Sequence, residues 1–169
     1  MNKYTTPNKW EGRTFYGKLW VPDVIVCHIA EGTYLGTIAW EQNPASRVSS
    51  HFIVAKDGRV AQMVDIRDTA WCNATSTNPA DSIYYGYATA RLVKERKTNA
   101  NFFTVSIENE GFYKDTRGAL TDAQLQAEIE VIAYIISEVK RIWGVQIPVD
   151  REHIIGHYEV TPKNKPHCP

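Results

Sequence analysis

The chain has 169 residues, which suggests one domain, and a domain of this size buries roughly 68–70% of its unfolded surface, so it needs no staple to fold. Nineteen Lys and Arg balance nineteen Asp and Glu, which argues against a nucleic-acid partner, since such binders carry a basic excess. Three widely spaced cysteines, Cys27, Cys72 and Cys168, are not a disulfide framework; they fit a reducing place of synthesis with a thiol kept for chemistry or metal. No apolar run approaches the ~20 residues of a membrane-crossing helix. The polar stretch from Met1 to Trp10 lacks the apolar segment of a signal peptide, so cytoplasmic synthesis without membrane insertion is expected.

Residues 1–21 read as an irregular arm whose aromatics, Tyr4, Trp10, Phe15, Tyr16 and Trp20, pack on the body. Val24-Ile25-Val26-Cys27-His28 is a β-branched run, read as a buried strand ending in a histidine. Thr33 to Gln42 has helical spacing at Tyr34, Leu35, Ile38 and Ala39, and Asn43-Pro44 stops it. Val48 to Ala55 alternates like a strand. Asp57-Gly58 makes a hairpin turn, and Val60 to Val64 returns. Asn73 to Ser82 is a loop by composition, and Ala88 to Lys97 a short helix with a solvated basic face. Phe102 to Glu108 alternates as a strand.

Thr121 to Trp143 is the clearest helix. Thr121 and Gln124 form a capping box. Leu125, Ile129, Ile132, Ile136, Val139 and Trp143 make its apolar stripe, widened by Val131 and Ile135. Gly144 ends it. His153 to Ile155 is a last strand, followed by an irregular tail. Strands mixed with helices around a hairpin predict a single α/β domain, with a mixed central β-sheet flanked by helices and the long helix over one face.

The five histidines are candidates for a metal site. A catalytic zinc takes three His, Cys or carboxylate ligands at ~2.0–2.3 Å and leaves a position open. His153 and His157 would lie ~13 Å apart on a strand, so both cannot hold one ion. His157, after Gly156, opens toward a proline-closed loop that can fold back and present Cys168. His167 is the rival of Cys168. His28 supplies the remaining donor from the sheet. Spacing alone leaves zinc an open reading, because scattered His and Cys are a weaker pattern than a local zinc motif.

Taken together, these stretches resemble the type-2 N-acetylmuramoyl-L-alanine amidases, the zinc amidases of phage endolysins and bacterial autolysins, related to peptidoglycan recognition proteins. Val24 to His28 is similar to the strand bearing the family's first zinc histidine. Val48 to Val54 with Asp57-Gly58 resembles its central hairpin. Ala70-Trp71-Cys72-Asn73 resembles its tryptophan-histidine motif, and Val105 to Gly111 its glutamate strand. Ile155-Gly156-His157-Tyr158-Glu159-Val160, then Lys165 and Cys168-Pro169, resembles the ending that supplies the last two ligands. Five motifs in order, over about residues 22 to 169, make the likeness specific.

The resemblance implies one Zn2+ per chain on His28, His157 and Cys168, in a cleft at the sheet edge. It implies hydrolysis of the amide joining N-acetylmuramic acid to L-alanine, with Glu108 as general base and Lys165 beside the developing oxyanion. Glu110 is a weaker candidate base, and Lys163 lies close to Lys165. Trp71, His51 and Asn73 become the substrate-facing residues, His51 alternatively a supporting hydrogen bonder. Cys27 is read as a core thiol on the opposite strand face. The chain departs from the family's pattern in several places. Cys72 stands where many members have histidine, Ser50 where some phage members have a catalytic tyrosine, and Ser106 where glycine is common. Residues 74–100 are longer than usual, and Lys165 precedes Cys168 by three residues, where some members have two.

Bacterial peptidoglycan is the expected partner, met by a monomer acting on the cell wall after phage delivery or secretion. The competing functions are a non-catalytic peptidoglycan receptor of the same fold and a cytosolic amidase recycling anhydro-muropeptides. Such receptors commonly lack the third ligand, so Cys168 favours an enzyme. A wall-binding module beyond residue 169 is a further expectation.

Overall fold

The computed structural model describes residues 1–168. Its elements run β1 (Asn2–Lys3), β2 (Lys9–Trp10), β3 (Thr14–Phe15), β4 (Lys18–Leu19), β5 (Val24–Ile29), α1 (Tyr34–Gln42), β6 (Phe52–Val54), β7 (Val60–Gln62), β8 (Thr69–Ala70), α2 (Ser82–Tyr85), α3 (Arg91–Arg96), β9 (Thr104–Asn109), α4 (Tyr113–Thr116), α5 (Asp122–Trp143), β10 (Ile154–Gly156) and α6 (His157–Val160). The main sheet has the order β1-β7-β6-β9-β5-β10. Only β6 and β7 pair antiparallel; the other neighbours are parallel. The mixed sheet flanked by helices is the expected architecture.

Parallel strands buried on both faces need continuous apolar runs, and β5 and β9 supply them. In β5, Ile25 faces α5, where it joins Phe52, Val54, Val105 and Ile107 against Val131, Ile135 and Val139. Val24 and Val26 face the other side, packed with Phe103, Val93, Ile155 and Val160. The period of two therefore puts His28 on the face opposite α5, while Cys27 points toward Glu128 of α5. Register then pairs His28 with Glu108 on adjacent strands.

Several local expectations change. The long helix exists, but its buried side is set by Gln124, Ala127, Glu128, Val131, Ile135 and Val139, while Leu125 and Ile129 are about half exposed. Polar positions won because the sheet's open ends need donors. The Gln124 amide donates to the carbonyls of Val54 and Glu110. Its amide is thus not available to Thr121, and only half of the capping box forms, Thr121 Oγ1 accepting from Gln124 N.

The strand expected over Val48–Ala55 is ordered as sheet only over Phe52–Val54, and β9 begins at Thr104 after a short 3-10 turn, Ala100–Phe103. The basic face expected on α3 is largely paired: Arg91 meets Glu95 and Glu152, and Arg96 meets Asp23. The hairpin turn has Gly58 at φ +86, where an added Cβ would stand 3.1 Å from the Ala123 carbonyl oxygen.

The amino-terminal arm is not irregular. β1 extends the sheet beside β7, β2 pairs with β8, and β3–β4 form a hairpin. Arg13 anchors it. Its guanidinium is buried and donates to the carbonyls of Ile66, Phe102 and Thr104. Burial pushes Arg13 down to about 9, against the pull of Asp68 and Asp65.

Candidate active site

At the carboxyl ends of β5 and β9, on the face away from α5, lies a cleft of about 310 Å³. Ligand sites of open α/β sheets favour this end of the strands. Its lining includes His28, Glu108, His157, Lys165 and Cys168, so residues as far apart as 28 and 168 converge.

Each arrives by a local device. His28 sits near the end of β5 and is almost fully buried. His157 begins α6, one residue past β10, rather than opening a loop; Gly156 N donates to Glu159 Oε2, which fixes that corner. The two imidazole centroids are 4.4 Å apart. Beyond α6 the tail folds back: Lys165 N donates to Thr161 O, and Tyr158 N donates to Cys168 O at 2.7 Å. That turn sets Cys168 Sγ 3.7 Å from His28 Nδ1. The rival His167 turns away and stacks on Tyr113, with centroids 4.5 Å apart. His153 is engaged by Asp150, Nδ1 to Oδ1 2.7 Å.

Donor atoms of His28, His157 and Cys168 all lie within 4.8 Å of one another. Burial, then the neighbouring His157, pushes His28 well down, while burial, then Lys165, pushes His157 down to about 4. Both imidazoles are therefore neutral near pH 7, the form that binds a metal. Burial, then Glu108, pushes the Cys168 thiol up to about 12, so its thiolate calls for a cation beside it. Two neutral imidazoles and a thiol in a partly closed cleft fit a zinc ion in donor type and number.

Glu108 stands beside this triad, Oε1 3.7 Å from His28 Nδ1, and its Oε2 is buried with no hydrogen-bond partner. Burial, reinforced by the negative charge of Glu41, raises it to about 8, with Cys72 and Lys165 pulling the other way. Glu110, the weaker candidate, is committed elsewhere, its Oε2 accepting from Lys56 N. Lys165 lines the cleft, whereas the Lys163 ammonium lies 4.9 Å over the Tyr87 ring.

Trp71 lines the cleft wall. His51 and Asn73 do not: both lie beneath it, about 1% exposed. Of the two readings left open for His51, its burial favours the supporting hydrogen bonder, and Asn73, expected to face substrate, is buried as well. Arg13 has only donors, so His51 Nε2 accepts from it at 2.9 Å, while Nδ1 faces Ser106. Asn73 donates to Thr104 Oγ1 and is held through its own N–H by Asn101 Oδ1.

Three cleft residues escaped the sequence reading. Cys72, noted only as a departure, places Sγ 3.4 Å from Glu108 Oε1. Glu41 is buried in the cleft, accepts from Ser50 N, and is raised by burial to about 7. Trp40, largely exposed, also lines the cleft. Glu41 was detectable, since Tyr34, Ile38 and Glu41 fall on one helical stripe and a carboxylate on an apolar stripe needs a reason.

The sheet, the cleft at its strand ends and the His-His-Cys group define an α/β domain with a candidate metal site. The sequence profile of the N-acetylmuramoyl-L-alanine amidases matches residues 19–169, and the chain belongs to that family. It is 31% identical over 88 residues to N-acetylmuramoyl-L-alanine amidase A of Achromobacter lyticus, covering 52% of this chain and 36% of the relative. It is 27% identical over 119 residues to the 1,6-anhydro-N-acetylmuramyl-L-alanine amidase AmpD of Haemophilus influenzae, covering 70% of this chain and 50% of the relative. The chain thus spans about a third to a half of the length of these curated relatives. The solved structure of PlyL superposes with a TM-score of 0.65 at 16% identity, covering 100% of this chain and 86% of PlyL, a likeness of fold. Among the described residues, no helix is long and apolar enough to cross a membrane.

Proposed function

We propose that this chain is a zinc-dependent N-acetylmuramoyl-L-alanine amidase that cleaves peptidoglycan between the lactyl group of N-acetylmuramic acid and L-alanine. The observation that carries the reading is the meeting of His28, His157, Cys168, Glu108 and Lys165 in one cleft, within a chain of this family. His28, His157 and Cys168 would hold one zinc. Bound there, zinc supplies a Lewis acid for the amide carbonyl and makes water nucleophilic near neutral pH.

The chain's own groups do the rest. Glu108, with an affinity for protons near neutrality, takes the proton of the attacking water and returns it to the departing amine of L-alanine. The unpartnered Oε2 is the atom free to do so. Lys165 offers a cation where negative charge develops on the carbonyl oxygen. Trp71 and Trp40, both lining the cleft, offer aromatic surface for glycan or peptide. Cell wall is the proposed place of action and a monomer the proposed state.

The test is release of new L-alanine amino termini from purified cell walls, with chelator and with zinc restored. Chelator-sensitive release that zinc restores is the expected result. Release unaffected by chelation would overturn the zinc reading. No release from walls, with turnover of a soluble anhydro-muropeptide, would assign the chain to recycling instead. No release from either, with zinc bound, would make it a receptor.

A further inference from the structure

His28 belongs to two triads of metal-capable side chains. The second consists of His28, Cys72 and Glu108, whose donor atoms also lie within 4.8 Å of one another. Around His28 Nδ1, Cys72 Sγ lies at 3.9 Å and Glu108 Oε1 at 3.7 Å, and the sulfur and that oxygen are 3.4 Å apart. Ligands bound at ~2.0–2.3 Å around one tetrahedral zinc stand about 3.3–3.7 Å apart. Two of the second triad's separations fall in that range and the third exceeds it by 0.2 Å, close to the 3.7 Å between Cys168 Sγ and the same His28 Nδ1.

Two further observations point to a ligand. Glu108 Oε2 is buried without a partner, an arrangement that costs free energy unless something binds it. The segment bearing Cys72 is fixed, because Asn101 Oδ1 accepts from the backbone N–H groups of both Cys72 and Asn73. The thiol is therefore presented, not merely nearby. Cys27 plays no part, being on the strand's other face toward Glu128.

We propose that His28, Cys72 and Glu108 form a second cation seat, alternative to the first, for zinc or another thiophilic divalent ion. Imidazole, thiolate and carboxylate together select ions of that kind. Because both seats draw on His28, one ion occupies one or the other. In the second seat the ion binds the Glu108 carboxylate, which then has no role as a base, so this is a resting position. The proposal rests on the zinc reading of the first triad.

Cobalt(II) reports the difference, since a cobalt–thiolate bond gives a near-ultraviolet charge-transfer band. The wild-type chain should show the band. In Cys168→Ser the ion should keep a thiolate band, now from Cys72, and the double variant Cys168→Ser with Cys72→Ser should lose it, with circular dichroism confirming the fold. A Cys168→Ser chain that is folded but has no band overturns the second seat and leaves the first standing. A wild-type chain that binds no cobalt overturns both. If Cys168→Ser does not fold, His157→Ala serves instead: cobalt should then protect Cys72 from iodoacetamide, and alkylation of Cys72 at the metal-free rate overturns the proposal.

Discussion

At the scale of single residues, the proposed chemistry concentrates on Glu108. Its carboxylate borders the donor triad without belonging to it, so its loss should separate binding from turnover. We expect Glu108→Ala to retain zinc while kcat falls by about 10²–10⁴, the usual worth of a positioned acid–base group. Normal turnover by that variant would remove Glu108 from the reaction. Cys168→Ser should instead weaken zinc at least about tenfold, or roughly 1.4 kcal/mol, measured by competition with a chelator. Unchanged metal affinity would show that Cys168 is not the third ligand. Glu41 predicts a stability effect with a definite sign. Its carboxyl is raised by burial from 4.5 to about 7, so its contribution is fully present below pH 4.5 and is lost as pH rises through 7. A shift of this size is worth on the order of 3 kcal/mol. Thermal melts of wild type should therefore decline between pH 4.5 and 7 relative to Glu41→Gln, and parallel curves for the two chains would refute the account.

Among the elements, legibility followed how local the cause was. The β5 run was readable because its period and composition carry their own reason for burial, and α5 because its length and Thr121 start are local. The buried side of α5 was not, since Gln124 faces inward to serve the carbonyls of Val54 and Glu110, which only the assembled sheet brings to it. The arm was misjudged for the same reason: β1 and β2 are two residues each and acquire strand geometry from partners at 61–62 and 69–70. The convergence of His28, His157 and Cys168, the proposed metal donors, was legible through family likeness more than through spacing. Cys72 was not, because nothing in a linear chain reports a shared cleft; Glu41 showed only as a carboxylate on an apolar stripe, with no sign of the cleft it enters. Arg13 gives the arm's packing a test. Arg13→Ala would leave three buried carbonyls and His51 Nε2 short of a donor, at ~1–3 kcal/mol for each group left unpaired. A loss of at least about 3 kcal/mol in urea unfolding is expected. A change under ~1 kcal/mol would mean that water replaces the guanidinium and that the arm is only loosely tied to the body.

On the scale of the whole molecule, the proposed metal seat ties the tail beyond Val160 to β5, a link that the hydrophobic clusters, which reach only to Val160, do not make. The core clusters draw on β5, β6, β9, α5 and the segment around α2 and α3, whereas Cys168 reaches the cleft through a tail turn held mainly by backbone hydrogen bonds. Removing zinc should therefore leave the sheet folded and loosen the tail. An ion bound to the native state alone adds RT ln(1 + [L]/Kd), or ~4 kcal/mol at a thousandfold excess over Kd. At about 2–4 °C per kcal/mol for a chain of this size, chelation should lower the melting temperature by roughly 8–16 °C. The far-ultraviolet circular dichroism at 25 °C should scarcely change, since β5 and β9 keep their core. Alkylation of Cys168 should accelerate on chelation, while that of Cys27, which does not face the metal seat, should not. A melting temperature indifferent to chelator would show that the three donors do not bind an ion together. A collapse of the dichroism would show the reverse surprise, that the ion holds the sheet itself and that the core of β5, β9 and α5 is too weak to stand without it.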